Sequence, residues 1–242
     1  MEAFREAAST QAKAKLAELP TLIGSHMTFI TETFGASQAA AVAGITAAAG
    51  DLKAGKANSM MNDLMMKVGE QLSADIGLLQ LVARWISLSV PVVEDGNNFG
   101  CDVQAYVLKI VQEFIKSLQG HLDAMSTYYK DRGEAIAKLV PATSRKTTSS
   151  KSTSNSTGGK QEEAGDKTSS SESSESSTSE SDVVEDTINY VVMHDLKWYN
   201  KLKGMSVDMM DALAVVSDTT AKNMKKIEAP RGESGGSGFN MY

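Results

Sequence analysis

Between two helix-like stretches, positions 91–104 read PVVEDGNNFGCDVQ. The segment crowds two carboxylates, Glu94 and Asp95, against two side-chain amides, Asn97 and Asn98, with Gly96 and Gly100 among them. Neighbouring carboxylates can do acid–base work only beside a nucleophile or a shaped pocket, and no such partner motif accompanies them. A plain connection between helices, with Asp102 as N-cap of the next one, accounts for the glycines and asparagines. It does not account for Phe99 in a tight turn, or for so dense a polar set.

Other residues with chemical potential reduce to simpler roles. His26, His121 and His194 have no neighbours at metal-ligand spacing, so packed or solvated histidines are expected and no metal. GESGGSG at 232–238 lacks the strand and lysine of a phosphate loop and reads as flexible tail. Cys101 stands alone, which excludes an intrachain disulfide. Asn155-Ser156-Thr157 is a formal glycosylation sequon, expected to be unused because MEAFREAASTQ has no secretory pattern. Ser169, Ser177 and Ser179 each precede an acid by three residues, a weak phosphorylation pattern that a solubilising spacer explains equally well. The 13 methionines read as core gap-fillers, with a Met-lined channel surface as the alternative. No catalytic residue or cofactor is expected, and the chain does not read as an enzyme.

The elements that carry the 91–104 segment are helices. Apolar residues recur at three- and four-residue spacing in blocks approximating 3–46, 57–90, 101–140 and 182–228. The third block offers Val103, Val107, Ile110, Phe114, Leu118, Leu122, Met125 and Tyr129; the fourth offers Tyr199, Leu202, Met209, Leu213 and Val216. The first is less regular, and Pro20 and Gly35 are expected to kink or break it. Pro230 stops the last. Helices this long predict an all-α, up-down-up-down four-helix bundle. In that topology the loop at 91–100 shares an end with both termini, and loop 47–59 shares the other end with the insert at 141–181. That insert is more than half Ser and Thr and is expected to be disordered.

Bulk properties narrow the class. The 242 residues are 41% hydrophobic and 6% aromatic, with four prolines, which disfavours a turn-rich all-β fold. A net charge of −6 argues against nucleic acid as a partner. No stretch offers the ~18 apolar residues of a membrane span. The expectation is a soluble helical protein of cytoplasm and/or nucleus.

The residues of the loop carry a resemblance. EDGNNFG followed by CDVQ resembles the activation loop of the 11S proteasome activators, the REG or proteasome activator 28 family. Ala83-Arg84-Trp85-Ile86 is similar to the end of that family's second helix, and Tyr128-Tyr129-Lys130-Asp131-Arg132-Gly133-Glu134-Ala135 to a segment of its third. Pro230-Arg231-Gly232-Glu233, ending in Met241-Tyr242, resembles its C-terminal tail. The similarity runs over roughly 60–230 and the extreme C-terminus; 1–50 matches only as helix. The chain departs from the family in Cys101, where a valine is usual, and in its Ser/Thr-rich insert between the third and fourth helices. The insert usual between the first two helices is nearly absent, and the tail is a few residues longer.

The resemblance implies a single activator domain over 1–242 that forms a heptameric ring on the α-subunit ring of the 20S proteasome. Tails built from Pro230, Arg231, Gly232, Met241 and Tyr242 dock in pockets between α subunits. Loops built from Glu94, Asp95, Gly96, Asn97, Asn98, Phe99 and Gly100 open the gate without ATP, with Asn97 the foremost contact. Two alternatives stand beside it: a structural or adaptor helical bundle, and a ring that docks without opening the gate.

Overall fold

The computed structural model describes residues 1–49, 52, 56–92, 98–138 and 185–232. These form helices α1 (Glu2–Phe34), α2 (Gln38–Ala49), α3 (Ser59–Leu88), α4 (Phe99–Ala137) and α5 (Glu185–Glu228), with no strand among the described residues. At ~1.5 Å per residue, α5 is about 66 Å long.

Pairwise contacts show how the long helices run. Tyr199 of α5 donates its hydroxyl to the Thr33 carbonyl, while Lys13 pairs with Glu228 at 2.6 Å, so α1 and α5 are antiparallel. Gly69 of α3 lies against Met125 of α4, and Gln104 of α4 reaches Ser89 beyond the end of α3. Tyr128 and Gln104 of α4 meet Asp195 and Ile227 of α5. The chain therefore goes up, down, up and down, as the periodicity implied.

The first block is two helices rather than one. Pro20 sits within α1, which continues through it, whereas the helix ends at Gly35. Ser37 then restarts the chain: its hydroxyl accepts from Ala40 N–H at 3.3 Å and its carbonyl from Ala41 N–H at 2.9 Å. The short, Ala-rich α2 buries Ala41, Ile45 and Ala49 and packs on α3 and α5.

The core is the seam between these helices. Leu19, Leu72, Leu79, Trp85, Ile86, Val107, Leu118, Leu202, Leu213 and Val216 are all buried there. On α3 the apolar residues at helical spacing, Met61, Leu64, Met65, Val68, Leu72, Leu79, Val82 and Ile86, are all buried. On α4 the buried stripe is rotated from the expected one. It runs through Gln104, Val107, Val111, Leu118, Met125, Tyr128, Arg132 and Ala135, leaving Leu122 and Tyr129 exposed.

Two of those buried positions are polar because they work as ties between helices. Toward the insert, the fully buried Asp195 carboxylate accepts from Tyr128 Oη at 3.0 Å, Arg132 Nε at 2.9 Å and Asn58 Nδ2 at 3.0 Å. Asn58 also caps α3 through Met61 N–H and donates to the Ile45 carbonyl, and Arg132 Nη1 donates to the Lys56 carbonyl. One carboxylate thus joins α2, α3, α4 and α5. Burial, then the Asp195 charge beside it, raises the Tyr128 phenol well above its ordinary pKa.

Candidate functional site

At the opposite end the chain brings together the two sides of the 91–104 loop and the base of the tail. Helix α3 stops at Leu88, where Ser89 N–H bonds back to the carbonyls of Trp85 and Ile86 at 3.0 Å. Pro91 and Val92 follow outside the helix. The loop re-enters as helix at Phe99, with Asn98 as N-cap: its carbonyl accepts from Cys101 N–H at 2.8 Å and Asp102 N–H at 3.1 Å. Asp102 is therefore not the N-cap. It lies within the first turn, where its charge favours the positive end of the helix dipole.

Helix α5 ends at Glu228, two residues before Pro230, whose ring has no N–H to continue the ladder. Gly232 N–H returns to the Ala229 carbonyl at 3.0 Å, and Gly232 takes φ of 85°, a region that favours glycine.

Several contacts fasten these pieces. Gln104, fully buried, donates Nε2 to the Ile227 carbonyl at 2.7 Å and to the Ser89 carbonyl at 3.0 Å. It thereby satisfies carbonyls at the C-terminal ends of two helices, which would otherwise lack partners. Arg231 Nη2 donates to the Val92 carbonyl at 2.7 Å, linking the root of the tail to the entrance of the loop. Gly100 lies so close to Pro230 that a Cβ there would collide with the Pro230 carbonyl. Lys226 Nζ stands 6.0 Å over the Phe99 ring, at the outer limit of a cation–π contact.

Of the residues expected to form the site, Asn98, Phe99 and Gly100 on the loop side and Pro230, Arg231 and Gly232 on the tail side share this end. Glu94, Asp95, Gly96 and Asn97, with Met241 and Tyr242, lie outside the described residues, as does the 141–181 insert. Sequence reasoning did not single out Gln104 as a tie or the Val92 carbonyl as an acceptor. The available signal for Gln104 was a polar residue three before Val107 on a helix's apolar stripe.

The described residues at this end offer hydrogen-bond donors and charge. Among the described residues no three His, Cys, Asp or Glu side chains could share a metal ion. His26 faces Asp75 at 3.0 Å in the interior, His121 meets Asp208 at 2.8 Å, and His194 stacks on Tyr128. No helix among the described residues is long and apolar enough to cross a membrane.

The family model described as proteasome activator PA28, C-terminal, matches residues 54–144 and 164–237. Proteasome activator complex subunit 3 of Homo sapiens and of Mus musculus are each 30% identical over 84 residues, 35% of this chain and 33% of each relative. The alignment thus spans about a third of these relatives. The 11S subunit of the Plasmodium falciparum proteasome, PA28, superposes with a TM-score of 0.61 at 19% identity, covering 95% of this chain and 92% of that one. A chain of an archaeal 20S proteasome in complex with a mutated P26 activator gives 0.66 at 15% identity, covering 95% and 94%. The last two establish the fold; the family model, matching most of the chain through both the loop and the base of the tail, establishes that this chain belongs to the PA28 family of proteasome activators.

Proposed function

We propose that this protein is an ATP-independent activator of the 20S proteasome rather than an enzyme. Seven copies form a ring that seats on the α-subunit ring. Met241 and Tyr242 dock in pockets between α subunits, carried on the root Pro230-Arg231-Gly232. The loop from Glu94 to Gly100 meets the gate, with Asn97 as the foremost contact. Binding free energy shifts the gate from closed to open, so no nucleotide is needed. Seven tethered tails convert weak single contacts into strong avidity.

The observation that carries this reading is the shared end: Arg231 on the tail root bonds to Val92 at the loop entrance, 2.7 Å apart. An activator must present docking and gate-opening elements to the same surface, and an adaptor bundle has no need to. Support for the ring comes from apolar surface that one bundle leaves uncovered. Tyr106, Tyr129, Tyr190 and Met193 are more than half exposed, and Leu22, Leu78 and Leu81 line a groove between α1 and α3.

The test is hydrolysis of a fluorogenic peptide by purified 20S proteasome, with and without this protein. Stimulation without ATP is expected, together with elution near seven times the chain mass of 25.8 kDa. A particle of that size that binds the proteasome without stimulating it would instead support a docking ring that leaves the gate closed.

A further inference from the structure

Docking and gate opening need only share a face; nothing in that scheme requires them to touch. Here they do. The loop's entrance, its exit and the tail's root form one bonded unit. Arg231 holds the Val92 carbonyl at 2.7 Å, on the entrance side. Gln104 holds Ser89 before the loop and Ile227 on the last turn of α5 at once, from a fully buried position. On the exit side, Gly100 in the first turn of α4 is pressed against the Pro230 carbonyl, leaving no room even for a methyl group.

Arg231 sits where the geometry is most informative. It is part of the tail, yet its guanidinium is directed back to the loop entrance. The contact is an ionic donor on a carbonyl just past the end of α3, where the helix dipole is negative. Pro230, with its fixed φ, sets the direction in which Arg231 leaves α5. A pull or rotation of the tail root is therefore transmitted to Val92 through one hydrogen bond and to Gly100 through backbone contact.

We propose that Arg231 is a positioning residue that couples the docked tail to the gate-opening loop, with Gln104 as the fixed base of the linkage. This rests on the activator reading above. It assigns Arg231 to loop placement instead of to the docking contact. If the loop opens the gate only in a fraction of its conformations, the coupling raises that fraction, so its loss lowers the ceiling of stimulation more than the affinity.

The experiment compares the full chain with Arg231→Ala and Arg231→Lys in two measurements. Hydrogen–deuterium exchange on the isolated protein reads peptides spanning 86–104. Peptide hydrolysis by 20S proteasome, titrated to saturation, separates maximal stimulation from half-saturating concentration. For Arg231→Ala, exchange at the Cys101 and Asp102 amides should rise about fivefold, the loss expected for a hydrogen bond of ordinary net strength. The melting temperature should not move. Maximal stimulation should fall by a comparable factor while the half-saturating concentration stays put. Arg231→Lys, which keeps a cationic donor, should recover most of both. Unchanged exchange would overturn the coupling whatever the peptidase does. A raised half-saturating concentration with an undiminished maximum would make Arg231 a docking contact and overturn it too. If the unmodified protein fails to stimulate at all, the activator reading falls, and the exchange measurement on the isolated protein still decides whether the tail root holds the loop.

Discussion

Asp195 carries no solvent exposure, yet a lone buried carboxylate would cost several kcal/mol. It is stable because Tyr128, Arg132 and Asn58 all donate to it. Asp195→Ala would leave the Arg132 guanidinium buried without its counter-charge, and thermal or urea unfolding should register a loss of about 3–5 kcal/mol. Tyr128 adds a pH dependence. Its phenol ionises above its ordinary value of 10.0 in the fold, through burial first and the Asp195 charge second. Above pH ~10 the unfolded chain releases this proton while the folded one keeps it, so stability is full below that pH and declines as pH rises. Melting curves between about pH 9 and 11 should show Tyr128→Phe with a shallower decline than the unmodified protein, from a lower starting point.

Helices meet at glycine where the backbone comes close, and two glycines of α4 separate that role from mere composition. At Gly100 an added Cβ would strike the Pro230 carbonyl, whereas at Gly120 it would meet nothing within 4 Å. Gly100→Ala should therefore displace the end of α5 or the first turn of α4, costing roughly 1–3 kcal/mol as an overpacked site does. Gly120→Ala sits in a helix interior and should stabilise by about 0.5–1 kcal/mol through helix propensity alone. Denaturant midpoints of the two variants, measured side by side, should move in opposite directions. A destabilised Gly120→Ala would mean that this point of α4's outer face is packed closely against something in solution.

For the assembled particle, docking and opening are expected to separate genetically. Removal of Met241-Tyr242 should leave the ring intact but abolish co-sedimentation with 20S proteasome and, with it, stimulation. Asn97→Tyr should co-sediment and compete with the unmodified protein while failing to stimulate. Equal stimulation by Asn97→Tyr would move the gate contact to another loop residue, and normal stimulation by the tail deletion would remove the activator reading altogether. The insert belongs to the other end, since Ala135 near the end of α4 packs in one cluster with Ile188 and Val191 near the start of α5. Replacing 143–180 with a short Gly/Ser linker should leave particle size and peptidase stimulation largely intact, because loop length enters stability only logarithmically.

What the chain could reveal unaided was most of what depends on local order, though not that Asn98 rather than Asp102 caps α4. Apolar spacing on α3 picked out eight residues that are all buried, and left out Asp75, Ile76 and Trp85 on the same face. Pro230 marked the end of α5. What required the tertiary structure was the rotation of α4 about its axis and the meeting of loop and tail. Periodicity weighs apolar residues, so it favoured Leu122 and Tyr129 on the α4 stripe and passed over Gln104 and Arg132, which are buried. Those two earn burial from partners 123 and 63 residues away in sequence, Ile227 and Asp195, and no window of local sequence contains both halves of such a bond. The break at Gly35 was visible as a weakness, but that the chain resumes as α2 and packs on α3 and α5 depended on a core already assembled. Local order follows from each residue's own preferences; the linkage between loop and tail exists only once distant carbonyls are brought within reach of a buried amide and an arginine.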